Sequence, residues 1–353
     1  MTHSVVLCGG LFDAIGDDMR RDMALEIGED GRIVAVRARR DADASTVRGS
    51  AAAADHSDAY VIPGLIDIHV HLSYGNARSE EDIDLYASVE LRAIRGVLHA
   101  QRALKAGFTS IADPATTGRV SLAVRDAIDA GLFVGPRLTT SGRQITNRQG
   151  LSDWYPTWIG VPETSVGVLV TSAEEGIREI RKQIKEGVDF IKIAVDGDTM
   201  NPFTGLISGF TQDELSTIID EVHRLGKQVV VHSRGAQAVL YSARANADVI
   251  LHASWMDEEG LQAVLDHGCK ICPTLTFPFN NVAFSTEVDP AHRSFVNGHR
   301  KEIESAVPVL SNARKAGVEF LVGTDTGFAV TPYGEWHAKE LEIFVEHLGF
   351  TPA

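Results

Sequence analysis

The sequence predicts an α/β protein, a (β/α)8 TIM barrel preceded by a small N-terminal portion of a β-sandwich. Three observations predict it. From about residue 61 onward, eight short apolar runs alternate with stretches of helical periodicity, as parallel strands do when a helix carries the chain back each time. Five helical stretches end in a glycine just before the next apolar run, in KAGFTS, KEGVDF, RLGKQV, DHGCKI and KAGVEF; glycine takes the left-handed conformation that closes a helix. No G-x-G-x-x-G follows the first apolar run, which weighs against the runner-up, an open doubly wound sheet that binds a dinucleotide.

In order along the chain, residues 1–60 read as short strands, a hairpin at EDGR and the Ala/Asp-rich polar loop DADASTVRGSAAAADHSDAY. Asp30-Gly31 between apolar runs is the hairpin signal. Barrel strands are expected near 61–71 (VIPGLIDIHVH), 108–113, 136–141, 188–195, 227–233, 247–252, 269–276 and 318–325. Helices are expected at about 80–106, 119–130, 173–186, 212–225, 235–245, 257–267 and 298–316. TQDEL is a capping box, with Thr211 at the N-cap and Glu214 three residues on.

The composition excludes several roles. A net charge of −15 over 353 residues suits neither nucleic acid, which needs clustered Lys and Arg, nor an anionic membrane. No apolar run is long enough to span a bilayer. The N-terminus MTHSVVLCGG lacks the basic and apolar regions of a signal peptide, and three cysteines, Cys8, Cys269 and Cys272, fit a reducing cytoplasm. Cys269 and Cys272 form a C-x-x-C with no second pair to complete a zinc ribbon, so they read as thiols of a buried strand.

In a barrel the C-terminal ends of the strands carry the active site. The polar residues there are His69 and His71 on the first strand, Lys192 on the fourth, His232 on the fifth, His252 on the sixth and Asp325 on the eighth. Taken singly, each is an ordinary polar strand end. Together they are a nitrogen and oxygen ligand set for one or two divalent metals. The remaining histidines, among them His99, His299 and His337, read as ordinary residues of helices, tails and loops.

His-x-His, Lys, His, His, Asp on strands one, four, five, six and eight resembles the amidohydrolase superfamily over essentially the whole chain. VIPGLIDIHVHL looks like its first-strand signature. FIKIAVDG, VVVHSRG, ADVILHASWMDEEGL, CPTLTF and GVEFLVGTDTG look like the imidazolonepropionase-related branch, which includes metal-dependent Xaa-Pro dipeptidases. The resemblance implies two divalent ions, zinc by default with cobalt or manganese open, and a single ion as the alternative. His69, His71 and Asp325 would hold the more buried ion, and His232 and His252 the second. Lys192 would be N-carboxylated by CO2, because an ammonium cannot ligate a cation whereas a carbamate can bridge two. Asp67, on the face of His69 and His71 but a layer deeper, would orient an imidazole.

The activity implied is hydrolysis of a C–N bond at an amide-like carbonyl. Hydroxide activated by the metals attacks, Asp325 acts as general base and acid, and His252 is both ligand and neighbour of the carbonyl. The substrate would be a small molecule and the enzyme a homo-oligomer. Specificity should lie in the strand-to-helix loops, of which three are long: 141–167, with Arg148, Trp154 and Tyr155; 196–210; and the stretch TFPFNNVAFSTEVDPAHRSF. Dipeptidase-like relatives commonly carry Gly-Gly-His after strand three, where this chain has NRQGLSD. With SDWYP, the loop looks more like the hydrolases of phenylurea and thiocarbamate herbicides, which implies an aryl urea, carbamate or anilide. The alternatives are an Xaa-Pro dipeptidase or N-acyl amino acid amidohydrolase, with Arg234 pairing a substrate carboxylate, a mononuclear deaminase, and a non-catalytic assembly protein. Thr351 and Pro352 look like the N-cap and first residue of a further helix. Relatives continue there into strands that complete the sandwich, so the expected domains are a partial sandwich at 1–60 and a barrel at 61–353 truncated at its C-terminal end.

Overall fold

The computed structural model describes residues 2–42, 52–198, 204–284 and 290–352. They fall into two units, residues 1–64 with 351–353, and residues 65–350. The first unit is a four-stranded sheet of β1 (Thr2–Leu11), β2 (Arg20–Gly28), β3 (Ile33–Ala38) and β4 (Ala52–Val61) in the order β3-β2-β1-β4. The β2–β3 hairpin turns at EDGR, where Gly31 takes φ +76° and Gly28 N–H donates to the Arg32 carbonyl over 2.8 Å. Alternation along β1 puts Val5 and Leu7 with Ala24 in one apolar cluster. Cys8 and Leu11 join Met23 and Leu25 in another. The polar loop expected over 41–60 is corrected in part. Residues 52–61 are a strand parallel to β1, held by backbone pairing that their own side chains do not advertise; residues 43–51 lie outside the described residues.

The second unit is the α/β barrel. After Pro63 and Gly64 its strands follow as β5 (Leu65–Asp67), β6 (Phe108–Asp113), β7 (Arg137–Thr140), β8 (Gln144–Thr146), β9 (Gly167–Leu169), β10 (Phe190–Ala194), β11 (Gln228–Ser233), β12 (Val249–His252) and β13 (Lys270–Cys272). All pairings within it are parallel, in the orders β5-β6-β7 and β13-β12-β11-β10-β8-β9. The third predicted strand is broken: β7 pairs with β6 and β8 with β10, while Asp189 N–H reaches the Thr140 carbonyl over 2.9 Å. The eighth, expected over 318–325, forms no regular strand. Single bridges tie Phe320 to Ile271 and Thr326 to Val70, and Ile68 N–H donates to Val322 over 2.9 Å. These bonds link the last segment to the first. All five residues of β10 are buried, as expected for a parallel strand covered on both faces.

Helices return the chain between strands at Val89–Lys105, Val120–Asp129, Ala173–Glu186, Gln212–Arg224, Ala236–Arg244 and Glu258–His267. Gly187 and Gly268 close two of them at φ +95° and +67°, and the Thr211–Glu214 capping box is formed. The helix expected over 80–106 divides into Glu80–Asp84 and Val89–Lys105, because Ser88 caps the second by accepting from Leu91 N–H. The strand expected over 269–276 stops at Cys272. Thr274 turns at φ +54° into the helix Thr276–Ala283. The helix expected from 298 begins at Pro290 and runs to Ala316, and a further one spans Lys339–Glu346. Among the described residues no helix is long and apolar enough to cross a membrane.

Candidate metal centre and substrate cavity

The strand ends deliver all six expected ligand side chains to one cavity, lined by His69, His71, Lys192, His232, His252 and Asp325. All six are buried. His69, His252 and Asp325 offer ligand atoms within 4.8 Å of one another. Asp325 Oδ1 lies 3.0 Å from His71 Nε2 and 3.5 Å from His69 Nε2. The His232 and His252 rings sit 4.5 Å apart, centroid to centroid. Two of the six emerge through left-handed backbone, His252 at φ +74° and Asp325 at φ +59°. Such conformations cost energy in residues with a side chain and persist where the surroundings enforce them; here they turn each strand end toward the cavity.

Several imidazoles are pinned from behind. His71 Nδ1 lies 3.2 Å from the Ala115 carbonyl and His252 Nδ1 2.7 Å from Thr274 Oγ1, while His71 stacks on Tyr74 at 4.2 Å. His232 Nε2 lies 3.1 Å from the Gly197 carbonyl. His69 Nδ1 is buried with no hydrogen-bond partner among the described residues, which is costly unless something binds there. Burial pushes His69, His232 and His252 well below the ordinary imidazole range, so they stay neutral as metal ligands must. Burial acts the same way on His71, but the carboxylates of Asp113 and Asp325, 3.8 and 3.0 Å from its ring nitrogens, outweigh it and raise that ring to about 9. Burial would raise Asp325, yet His69 and His71 hold its carboxyl far below the usual range. Burial lowers Lys192 to about 7, and among the described residues its Nζ makes no hydrogen bond or ion pair. A donor set of three neutral imidazoles, a fourth beside two carboxylates, the Asp325 carboxylate and one easily neutralised amine fits divalent cations.

Asp67 is held differently from the expectation. Its carboxylate accepts from the backbone N–H of His69 (3.0 Å), from Thr324 N–H (3.2 Å) and Oγ1 (2.6 Å), and from the ring of His337 (2.7 Å). It fixes the backbone under His69 and orients no ligand imidazole. His337, read from sequence as an ordinary helical histidine, is buried in a turn before the last helix. Gly323 is required beside the centre: a Cβ there would lie 2.5 Å from Cys272 Sγ and 2.8 Å from His69 Cβ. Cys269 and Cys272 are buried free thiols, pushed upward by burial.

The cavity encloses about 570 Å3, within the range of small-molecule sites. Trp154, Tyr74, Phe277, Phe295 and Phe328 form much of its wall. Of the expected substrate residues, Trp154 and Arg234 line it. Arg148 and Tyr155 do not: Arg148 is exposed, 3.6 Å from Asp153, and Tyr155 directs its hydroxyl to the Glu80 carbonyl over 3.3 Å. The loops 196–210 and 276–295 lie partly outside the described residues, at 199–203 and 285–289. Sequence reasoning missed Glu302 and His299. Glu302 is buried against the Arg234 guanidinium and accepts from Ser254 Oγ over 2.8 Å. They face each other one turn apart on one helix, but Arg234 and Ser254 come from elsewhere in the chain, so no local pattern announces the cluster.

Residues 60–344 match the amidohydrolase family. Ochratoxinase of Aspergillus niger is 28% identical over 324 residues, which cover 84% of this chain and 63% of that protein; the chain thus spans under two thirds of this relative. The crystal structure of A. niger ochratoxinase matches with a TM-score of 0.84 at 25% identity, covering 99% of this chain and 80% of that one. An Xaa-Pro dipeptidase structure with bound methionine shares the fold, with a TM-score of 0.83 at 24% identity over 98% and 84% of the two chains. Molinate hydrolase shares it at 0.70 and 20% identity, covering 92% and 73%.

Proposed function

The chain belongs to the amidohydrolase family, and on that premise we propose that it is a metal-dependent hydrolase that cleaves a C–N bond at an amide-like carbonyl. The observation that carries this reading is the convergence of four buried imidazoles, Lys192 and Asp325 on one cavity. In the proposed assignment His69, His71 and Asp325 would hold one divalent ion and His232 and His252 a second, and Lys192, as a carbamate, would supply anionic oxygen ligands to the centre. Bound there, such ions lower the pKa of water and polarise a carbonyl. Lys192 reaches the neutral amine near pH 7 because it is desolvated. Its Nζ lone pair adds to the carbon of CO2 and one proton leaves, giving the anionic carbamate. Asp325, kept ionised by His69 and His71, takes a proton from the attacking water on a carboxylate oxygen and passes it to the departing nitrogen.

The substrate class we favour is a neutral aryl urea, carbamate or anilide. The aromatic wall of Trp154, Phe277, Phe295 and Phe328 suits an aryl group. Arg234, the buried cation that a peptidase would turn to a substrate carboxylate, is engaged by Glu302. A dipeptidase or N-acyl amino acid hydrolase is the second reading, supported by the family.

Metal analysis of the purified protein tests the core of the proposal: about two ions per chain are expected, and none would overturn it. Lys192→Arg, which forms no carbamate, is expected to lose most bound metal and turnover by at least ~10³-fold. Side-by-side rates on N-aryl ureas, anilides, N-acyl amino acids and Xaa-Pro dipeptides test the substrate class. Turnover of dipeptides alone would reverse the preference.

A further inference from the structure

We propose that Glu302 sets the charge preference of the cavity: by neutralising Arg234 it leaves a wall that donates hydrogen bonds but rejects carboxylates. The proposal rests on this cavity being the substrate site, as argued above.

Arg234 follows the end of β11, two residues past His232, and is buried. Its backbone N–H is held by Asp196, at 3.0 and 3.1 Å from the two carboxylate oxygens, so the root of the side chain is fixed. Gly235 packs so closely on the Leu206 carbonyl that a Cβ would sit 2.3 Å from it. The guanidinium contacts Glu302 through Nη1. Its Nε is buried and has no partner among the described residues. Arg234 lines the cavity, so its guanidinium forms part of the wall that a bound molecule meets.

Glu302 comes from the long helix Pro290–Ala316 and is buried. Three groups hold it: Arg234, Ser254 Oγ at 2.8 Å and His299 Nδ1 at 3.4 Å. The His299 ring packs edge-on between Phe277 and Phe295, at 5.2 and 4.6 Å, and both phenylalanines face the cavity. The aromatic wall therefore braces the carboxylate. Burial would raise the Glu302 carboxyl, but Arg234 and then His299 hold it below the ordinary range.

A substrate carboxylate at Arg234 would meet Glu302 already on the same guanidinium. Two anions sharing one desolvated cation repel each other where the dielectric is low. Glu80, Asp198 and Asp325 also line the cavity, and Arg78 lies at an exposed position. The other cationic groups among the described lining residues are Lys192 and His71, which the proposed metal centre takes up. A neutral carbonyl, nitro or sulfonyl oxygen accepts from the Arg234 guanidinium without that repulsion. A buried ion pair thus supplies selectivity through the anion that it excludes.

The test is calorimetric binding of two matched probes, 4-nitroaniline and 4-aminobenzoate, to the metal-loaded protein. They differ in one group of the same shape, neutral in one and anionic in the other. Wild type is expected to bind the neutral probe at least ~5-fold more tightly. Tighter binding of the carboxylate would overturn the proposal without any variant. Glu302→Gln keeps the shape and its acceptor while removing the charge, and should shift the carboxylate-to-neutral affinity ratio at least ~10-fold toward the carboxylate. An unchanged ratio in folded, metal-loaded protein would overturn it, since a merely structural role would weaken both probes alike. If the single variant fails to fold, the charge-balanced pair Arg234→Gln with Glu302→Gln takes its place. It should bind the neutral probe ~10-fold more weakly than wild type, and undiminished binding would overturn the proposal. Binding requires no turnover, so absence of C–N cleavage with the charge preference intact would defeat the hydrolase reading and leave this one standing.

Discussion

At the scale of single residues, the site depends on groups that touch no substrate. Asp67 satisfies four donors from three places: His69 N–H, both donors of Thr324 and the His337 ring. Asp67→Ala strands them in the interior, where each unsatisfied buried group costs about 1–3 kcal/mol. We expect a loss of about 4 kcal/mol by urea unfolding, because water enters to serve some of the four. Asp67→Asn should cost less, about 1–2 kcal/mol, since Oδ1 still accepts the two backbone N–H groups and the Thr324 hydroxyl can turn to Thr326, 2.7 Å away. Both variants loosen the backbone under His69, so metal affinity should fall about 10-fold or more. Equal metal affinity in Asp67→Ala and wild type would show that His69 does not need this support.

At the scale of elements, the joint between the seventh strand and the helix Thr276–Ala283 is held by a side chain from another helix. Glu340 accepts from Leu275 N–H (3.0 Å) and from Thr276 N–H and Oγ1 (both 2.7 Å), and so caps a helix whose own N-cap, Leu275, cannot. Burial raises its carboxyl from 4.5 to about 7 despite those donors. A folded value above the unfolded one means that the folded chain holds the proton more tightly. The stability from this group is complete below about 4.5 and declines as pH rises toward about 7. Glu340→Gln removes that titration, so its stability relative to wild type should improve between pH 5 and pH 7 in urea unfolding; a constant difference would refute the assignment. This joint also shows where the sequence stops being readable. Period and glycine stops reveal strands and helices that pack by their own pattern, such as β10 and Ala173–Glu186. They do not reveal β4, which exists through pairing with β1, nor the helix at 276, whose cap lies more than sixty residues away. The six strand-end residues were legible because each follows an apolar run. Asp67–His337 and Arg234–Glu302 were not, because their partners meet only in three dimensions.

At the scale of the molecule, the strands around the cavity end in buried polar side chains, and the 3.0 Å contact between His71 and Asp325 joins the first segment to the last. The eighth segment in particular joins its neighbours by isolated bridges, and Asp325 projects from it toward His69 and His71. Cations bound by the proposed ligands would tie the first, fourth, fifth, sixth and eighth strands together at their C-terminal ends. They would bind the folded chain and not the unfolded one, because the ligands lie up to 256 residues apart in sequence, from His69 to Asp325. Linkage then fixes the size of the effect: an ion present at 1,000 times its dissociation constant stabilises by about 4.1 kcal/mol. A change of 1 kcal/mol moves the midpoint of a domain of this size by about 2 °C. Stripping the metal with a chelator should therefore lower the thermal midpoint by about 8 °C for each ion released, reversibly on adding zinc. The loss should be largest where the ladder is weakest, so amide exchange should quicken first around 320–326 and 68–71 and least in β10, whose backbone is paired on both sides. A midpoint unmoved by chelation, in protein shown to have released its metal, would mean that the barrel top is fully held by its own side chains. The proposed ligands would then serve catalysis without contributing to the fold.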